Sequence, residues 1–67
     1  MIDVVVNGNP CRLVAGSTIA TLVASLDAGP RGVAVAVDEE VVPRSEWAST
    51  ELREGHRVEV LRASQGG

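Results

Sequence analysis

The sequence has almost no aromatic residues: Trp47 is the one aromatic side chain, and Phe and Tyr are absent. A hydrophobic core must therefore be built from Val, Leu, Ile and Ala. Proteins that bind single strands of nucleic acid need several exposed aromatic side chains on which bases stack. This shortage, together with a net charge of −3, argues against a nucleic-acid partner and favours a basic or neutral protein partner.

Lysine is absent too, because all six basic residues are Arg. The chain consequently has no ε-amine to form a Schiff base or to accept an isopeptide bond. An activated carboxyl group at its own end has no lysine of the same chain to attack.

Cysteine is limited to Cys11, so the monomer forms no internal disulfide, which fits a reducing compartment. No apolar run approaches the roughly 20 residues of a membrane span, and no targeting pattern stands at the start. We therefore predict a soluble cytoplasmic protein. Its 67 residues make one small domain, which buries only about 60% of its unfolded surface.

The first third of the chain predicts a β-hairpin. Residues 2–7 carry apolar side chains at alternate positions, as one face of a strand does. Asn7-Gly8 is a strong signal for a tight turn, since both residue types tolerate positive φ. Residues 9–14 then form a weaker second strand, with Pro10 confined to its start or to a sheet edge.

A helix is predicted next, because apolar residues recur with helical spacing at Ile19, Leu22, Val23 and Leu26. Thr18 or Ser17 supplies the oxygen that caps its start. Asp27-Ala28-Gly29-Pro30 ends it, with a glycine suited to the position after the helix and a proline that cannot continue it.

The second half predicts three more strands. Residues 33–37 are apolar on both faces, as in an interior strand that is covered on part of each side. Asp38-Glu39-Glu40 turns the chain, and Val41-Val42 is a short strand that ends at Pro43. Residues 57–62 alternate again and make the last strand.

Residues 44–50 read as a loop with a single helical turn capped by Ser45. We expect the last strand to pair beside the first in the middle of the sheet. The predicted organisation is an α+β domain over residues 1–62, with four to five strands and one main helix across them, followed by a flexible tail over residues 63–67.

Few side chains are candidates for chemistry. His56 is a lone histidine at a turn and has no nucleophile placed beside it by sequence, and Cys11 is expected to pack as a small hydrophobic residue. Asp38-Glu39-Glu40 lacks the ligand spacing of a calcium loop, which favours a solvated turn. Trp47 is interpreted as core packing, with a binding hot spot as the alternative. We therefore predict no catalytic residue, no metal site and no bound cofactor.

The most reactive group is the carboxylate of Gly67, at the end of Ala63-Ser64-Gln65-Gly66-Gly67. Two glycines give the thinnest and most pliable backbone available. Five extended residues reach roughly 16–18 Å at about 3.3–3.6 Å per residue, far enough to enter the active site of another protein. The alternative is an ordinary frayed terminus.

The chain resembles the ubiquitin-like sulfur carriers of β-grasp fold, and most closely the ThiS family of the thiamin pathway. The resemblance covers nearly the whole chain, and its most specific parts are the run Val-Val-Pro-Arg-Ser-Glu-Trp at residues 41–47 and the end Gln65-Gly66-Gly67. Asp38 and His56 depart from the usual pattern, where these carriers often have Asn and Asp. Both lie in predicted turns, so the departures bear on partner contacts.

The resemblance implies a protein that other enzymes act on, and not an enzyme itself. A ThiF-like E1 adenylyltransferase would use MgATP to adenylate Gly67. Sulfur from a cysteine desulfurase persulfide would then displace AMP and leave a thiocarboxylate, which a ThiG-like thiazole synthase would consume. Gln65, Gly66 and Gly67 would enter the partners' active sites.

Docking of such partners needs a surface near the tail. By strand alternation, Leu61 faces away from Val58 and Val60, and Val5 faces away from its apolar neighbours. If Val5 and Leu61 are neighbours, they form an apolar patch that both partners share. Arg44 and Arg62 are expected to add charge complementarity.

Three alternatives remain open from the sequence. A sulfur carrier for molybdopterin or cysteine synthesis would use the same chemistry with other acceptors. A ubiquitin-like modifier would be conjugated to lysines of target proteins. A plain interaction module would bind without ATP and would tolerate deletion of the tail.

Overall fold

The computed structural model describes residues 1–26 and 32–62. It contains five strands, one α-helix and one 3-10 helix. In chain order these are β1 (Ile2–Val6), β2 (Asn9–Leu13), α1 (Ile19–Ser25), β3 (Val33–Val37), β4 (Glu40–Val42), the 3-10 helix (Arg44–Ser49) and β5 (Arg57–Arg62). In the described part of the chain, no helix is long and apolar enough to cross a membrane.

The predicted β1–β2 hairpin is confirmed. Its two-residue turn holds Asn7 at φ 51° and Gly8 at φ 83°, the left-handed conformations that this turn requires. Pro10 lies on the outermost strand of the sheet, opposite Val5, where its missing N–H removes no ladder bond. The second strand ends at Leu13, one residue earlier than predicted, and Val14 is 65% exposed.

Helix α1 starts at a reciprocal cap. The Thr21 N–H donates to Oγ1 of Thr18 (3.3 Å), and the Thr18 N–H donates to Oγ1 of Thr21 (2.9 Å). Each threonine thus satisfies an N–H that the first helical turn leaves without a partner. The predicted apolar face holds for Ile19, Leu22 and Val23, which are buried, but not for Leu26, which lies at the end of the helix and is 38% exposed. The predicted stop at Asp27-Ala28-Gly29-Pro30 lies outside the described residues.

We expect Thr18→Ala to lower the free energy of unfolding by about 1 kcal/mol, because the substitution removes the oxygen that caps α1. The matched control is Thr18→Ser, which keeps a hydroxyl at the same position and should lose well under half as much. Urea unfolding followed by circular dichroism measures both variants. Equal losses in the two would show that the methyl group of Thr18, and not its hydroxyl, is what stabilises the helix.

The five strands form one mixed sheet in the order β2-β1-β5-β3-β4. Strands β1 and β5 are parallel and the other pairs are antiparallel. The prediction that the last strand lies beside the first in mid-sheet is therefore confirmed. So is the predicted fold class of a four- to five-stranded mixed sheet with one main helix.

The core lies between α1 and one face of the sheet. Its buried side chains come from the helix, from the inward positions of the strands and from the segment after β4: Val4, Val6, Ile19, Leu22, Val23, Val35, Trp47, Leu52, Val58 and Val60. The prediction that β3 is covered on part of each face holds more strongly for one face than for the other. Val35 is buried, whereas on the opposite face Ala36 is half-buried and Ala34 is exposed.

The segment after β4 corrects another prediction. The 3-10 helix begins at Arg44, directly after Pro43, so Ser45 lies inside the helix and does not cap it. The Pro43 carbonyl instead accepts the Glu46 N–H (2.8 Å), and no side chain caps this end. Proline already fixes φ near −60° here, which leads the chain into the turn without a capping hydroxyl.

Candidate functional site

The C-terminal tail follows β5, a strand that is paired on both sides. Strand β5 pairs with β3 at five positions, from Val37↔Val58 to Val33↔Arg62, and with β1 on its other side. Arg62, the residue before the predicted tail, is therefore still paired. The tail itself, with Gln65, Gly66 and Gly67, lies outside the described residues, so its role stays a prediction.

An apolar surface lies on the face of the sheet that α1 leaves uncovered. Leu61 is 63% exposed and is paired with Ala34, while Val41 is 71% exposed and is paired with Ala36. Paired residues project to the same face, as do residues two apart on one strand. We call these four residues, Ala34, Ala36, Val41 and Leu61, the open-face patch.

The open-face patch is unusual because the solvated face of a sheet ordinarily carries polar side chains. Here the polar residue that borders it is Glu59, which is paired with Ala36. The patch lies on the strand that leads into the tail and on its neighbours. An exposed apolar surface in this place is typical of a protein-binding site.

Val5 does not join this patch, because the condition that Val5 and Leu61 are neighbours is not met. Val5 is paired with Arg57 on β5, and Leu61 lies four residues beyond Arg57. At about 3.3 Å per residue the separation along the strand is about 13 Å. Val5 does face away from the buried Val4 and Val6, but it is itself half-buried and flanked by Pro10 and Arg57.

The two arginines that are predicted to add charge complementarity are both exposed, and they lie at the ends of two elements that follow each other in the chain. Arg62 is the last residue of β5 and is paired with Val33, and Arg44 is the first residue of the 3-10 helix. The ion pair in the described residues joins Arg12 and Asp3 at 3.1 Å. Within residues 1–26 and 32–62, neither Arg44 nor Arg62 is therefore engaged by a carboxylate, and both guanidinium groups face solvent.

Trp47 and His56 have structural partners. Trp47 is 5% exposed, and its Nε1–H donates to the carbonyl of Val42 at 2.9 Å, which confirms the packing interpretation. The Arg53 N–H donates to Nδ1 of His56 at 2.9 Å, so this ring holds the turn before β5. Cys11 is half-buried and packs against the core, as expected.

The acidic turn before β4 is likewise structural. Asp38 and Glu39 have φ of 50° and 72°, and they connect β3 to β4 as a two-residue turn. Oδ1 of Asp38 accepts the Arg57 N–H at 2.9 Å, which ties this turn to the start of β5. Across residues 1–26 and 32–62, no group of three or more His, Cys, Asp or Glu residues is arranged to hold a metal ion.

Sequence reasoning missed three residues of the open-face patch, Ala34, Ala36 and Val41. The signal that could have found them is the alternation of valine with alanine in residues 33–37. Because one strand face faces α1, the larger side chains belong on that face and the alanines on the other. Val41 follows from the pairing of β4 with β3, which the sequence alone does not fix.

A mixed five-stranded sheet with one helix across it, whose central strand leads into a diglycine end, defines a ubiquitin-like domain of the β-grasp class. Residues 4–67 match the ThiS family. The match covers nearly all of the chain, which therefore belongs to the ThiS family.

Individual relatives agree with this assignment. The sulfur carrier protein ThiS of Escherichia coli strain K12 is 28% identical over 65 residues, which is 97% of this chain and 98% of that protein. The crystal structure of the thiamine biosynthesis protein ThiS from Geobacter metallireducens superposes with a TM-score of 0.82 at 26% identity, covering 98% of this chain and all of that one. A solution structure of a thiamine biosynthesis protein from the same organism gives the same TM-score and identity over 88% of its own length.

Proposed function

We propose that this chain is a sulfur carrier protein of thiamine biosynthesis that works through its terminal carboxylate. Membership of the ThiS family over residues 4–67 and the likeness to the Escherichia coli carrier support the carrier role. The single observation that carries the proposal is that this family match includes the diglycine end, which only three residues separate from the central strand β5.

The chemistry starts from the poor reactivity of a carboxylate. An E1-like adenylyltransferase converts the Gly67 carboxylate and MgATP into an acyl adenylate and pyrophosphate, which turns one carboxylate oxygen into a leaving group. The outer sulfur of a desulfurase persulfide, which derives from cysteine, then attacks the acyl carbon and displaces AMP to give an acyl disulfide. A second thiol attacks this acyl disulfide, which forms a disulfide between the two cysteine sulfurs and leaves Gly67 as a thiocarboxylate. Thiazole synthase takes the sulfur, and the carrier returns with a carboxylate. MgATP is bound by the activating enzyme, so this chain needs no cofactor of its own.

The open-face patch is the docking surface in this proposal. Both partners must bind the body of the domain while they hold the tail, and they must do so in turn. A small patch with two large apolar side chains, Val41 and Leu61, suits such reversible binding better than an extensive apolar interface would. Arg62, which lies on the opposite face of β5 from Leu61, and Arg44 on the 3-10 helix add exposed positive charge outside the patch, which speeds and orients association.

Intact mass spectrometry tests the proposal directly. The chain is incubated with an extract of its host, MgATP and cysteine, beside a chain that lacks Gly67. We expect a mass gain equal to the exchange of one oxygen for one sulfur, located on Gly67 and absent from the shortened chain. An unchanged mass would contradict the carrier role and favour an interaction module, whereas attachment to another protein would favour a modifier.

A further inference from the structure

The side chain of Asn7 extends the pairing of β1 with β5 after the main chain has turned away. The last main-chain bond of this pairing runs from the Asn7 N–H to the Val58 carbonyl at 2.9 Å. At φ 51°, Asn7 then directs the main chain into the hairpin turn and away from β5. Strand β5 continues past that point as far as Arg62.

The carboxamide of Asn7 takes the place of the missing peptide group. Its Oδ1 accepts the Val60 N–H at 2.8 Å, and its Nδ2 donates to the Val60 carbonyl at 3.2 Å. Like a peptide group, a carboxamide is planar and carries a carbonyl acceptor beside an N–H donor, here one of the two on Nδ2, so it satisfies both main-chain groups of Val60. Both bonds are partly buried, and they join residues that are 53 positions apart.

We propose that Asn7 is a positioning residue for the C-terminal tail. Its two bonds fix β5 on the β1 side as far as Val60, three residues before the tail. Beyond Val60, β5 is held on the β3 side, where Arg62 is paired with Val33. With Asn7 in place, the last strand is held from both sides until shortly before the tail, which fixes the point on the domain from which the tail starts. This inference rests on the proposed function.

Removal of the carboxamide would leave the N–H and carbonyl of Val60 without partners on that side. Val60 is 8% exposed, and unpaired polar groups at buried positions are costly, so the end of β5 would shift or open to reach water. Small displacements of a reacting group are expensive, since a misplacement of about 1 Å can lower a rate by about a hundredfold. The loss of rate should appear in the chemical step and not in binding, because the open-face patch stays attached to the sheet through β3.

The role of Asn7 in the hairpin turn and its two hydrogen bonds to Val60 can be separated by substitution. Glycine adopts positive φ more readily than asparagine does, so Asn7→Gly keeps the turn conformation and deletes both bonds to Val60. Asn9→Gly is the matched control: it adds the same backbone freedom two residues later in the same hairpin. The side chain of Asn9 is exposed and makes one long contact, 3.5 Å, to the Asn7 carbonyl.

Two measurements test the inference with the full-length chain. Amide hydrogen exchange at Val60 should be at least about tenfold faster in Asn7→Gly than in the wild type and unchanged in Asn9→Gly. Pyrophosphate release by the host's E1-like adenylyltransferase, with MgATP and at a temperature where all variants are folded, should show kcat lowered about tenfold in Asn7→Gly, with KM within about twofold. A purely stabilising residue would not change kcat under these conditions.

The outcomes separate the two proposals. A wild-type chain that is not adenylated contradicts the proposed function and, with it, the positioning role. A wild-type chain that is adenylated, beside an Asn7→Gly variant with unchanged kcat, overturns the positioning role alone. Unchanged exchange at Val60 also overturns it, because the bonds would then not hold the strand in solution.

Discussion

We expect the Gly66→Val and Gly67→Ala variants to fold normally but to be adenylated at least about a hundredfold more slowly than the wild type. Each substitution adds a side chain to the thinnest part of the chain, and a branched side chain also restricts the torsions that glycine permits. In the proposed mechanism the acyl carbon passes a narrow channel to reach the nucleotide, so a side chain at either position would obstruct it or displace the carboxylate from the α-phosphate. Pyrophosphate release and intact mass measure the loss.

The control for the diglycine variants is Ser64→Ala, which changes the same tail three residues before its end. It should be adenylated at a rate close to that of the wild type, since alanine adds no bulk and leaves both glycines free. Normal turnover of Gly66→Val or Gly67→Ala would refute the channel argument and leave the terminal carboxylate without a steric requirement.

Leu61→Asp should lower kcat/KM for adenylation at least about tenfold, which corresponds to about 1.4 kcal/mol of lost binding. Leu61 is 63% exposed, so the domain needs no Leu61 side chain in its core and should keep its stability. The aspartate removes the largest member of the open-face patch and places a negative charge beside Ala34. A charge that must lose its hydration on docking opposes binding to both partners.

The matched control for Leu61→Asp is Val14→Asp. Val14 has nearly the same exposure, 65%, but follows β2 at the end of the sheet where Ile2 is paired with Leu13, away from the start of the tail. The Val14→Asp variant should be adenylated with the same kcat/KM as the wild type. If both variants lose activity equally, net charge and not the patch governs docking. If neither does, the open face of the sheet is not the binding surface.

The elements of this fold follow from local signals. The hairpin rests on Asn7-Gly8, and α1 begins where Thr18 and Thr21 cap each other, both within a few residues of sequence. The last strand could also be placed beside the first, because an alternating strand that leads into a tail is best held in mid-sheet. These predictions succeed because each depends on neighbours in the chain or on a simple packing rule.

The arrangement of the site depends on pairings that no local signal fixes. The offset between β1 and β5 separates Val5 from Leu61, and it is set by contacts between residues about 50 positions apart. The open-face patch likewise depends on which face of β3 the helix covers. Asn7 was recognised as a turn residue, but its bonds to Val60 appear only once β5 lies beside it. At Ser45 a local signal was misleading. Its residue type predicts a helix cap, but the 3-10 helix begins directly after Pro43 and Ser45 lies inside it.

The central position of β5 also has a consequence for the newborn chain. Residues 57–62 leave the ribosome after the other four strands, yet they supply the strand that joins β1 to β3. Until they insert, the two halves of the sheet have no common partner, and we expect the slow step of folding to be the closure of the long loop between Val5 and Arg57. Under the proposed function, an unfinished chain would therefore offer the activating enzyme an end that no complete sheet holds.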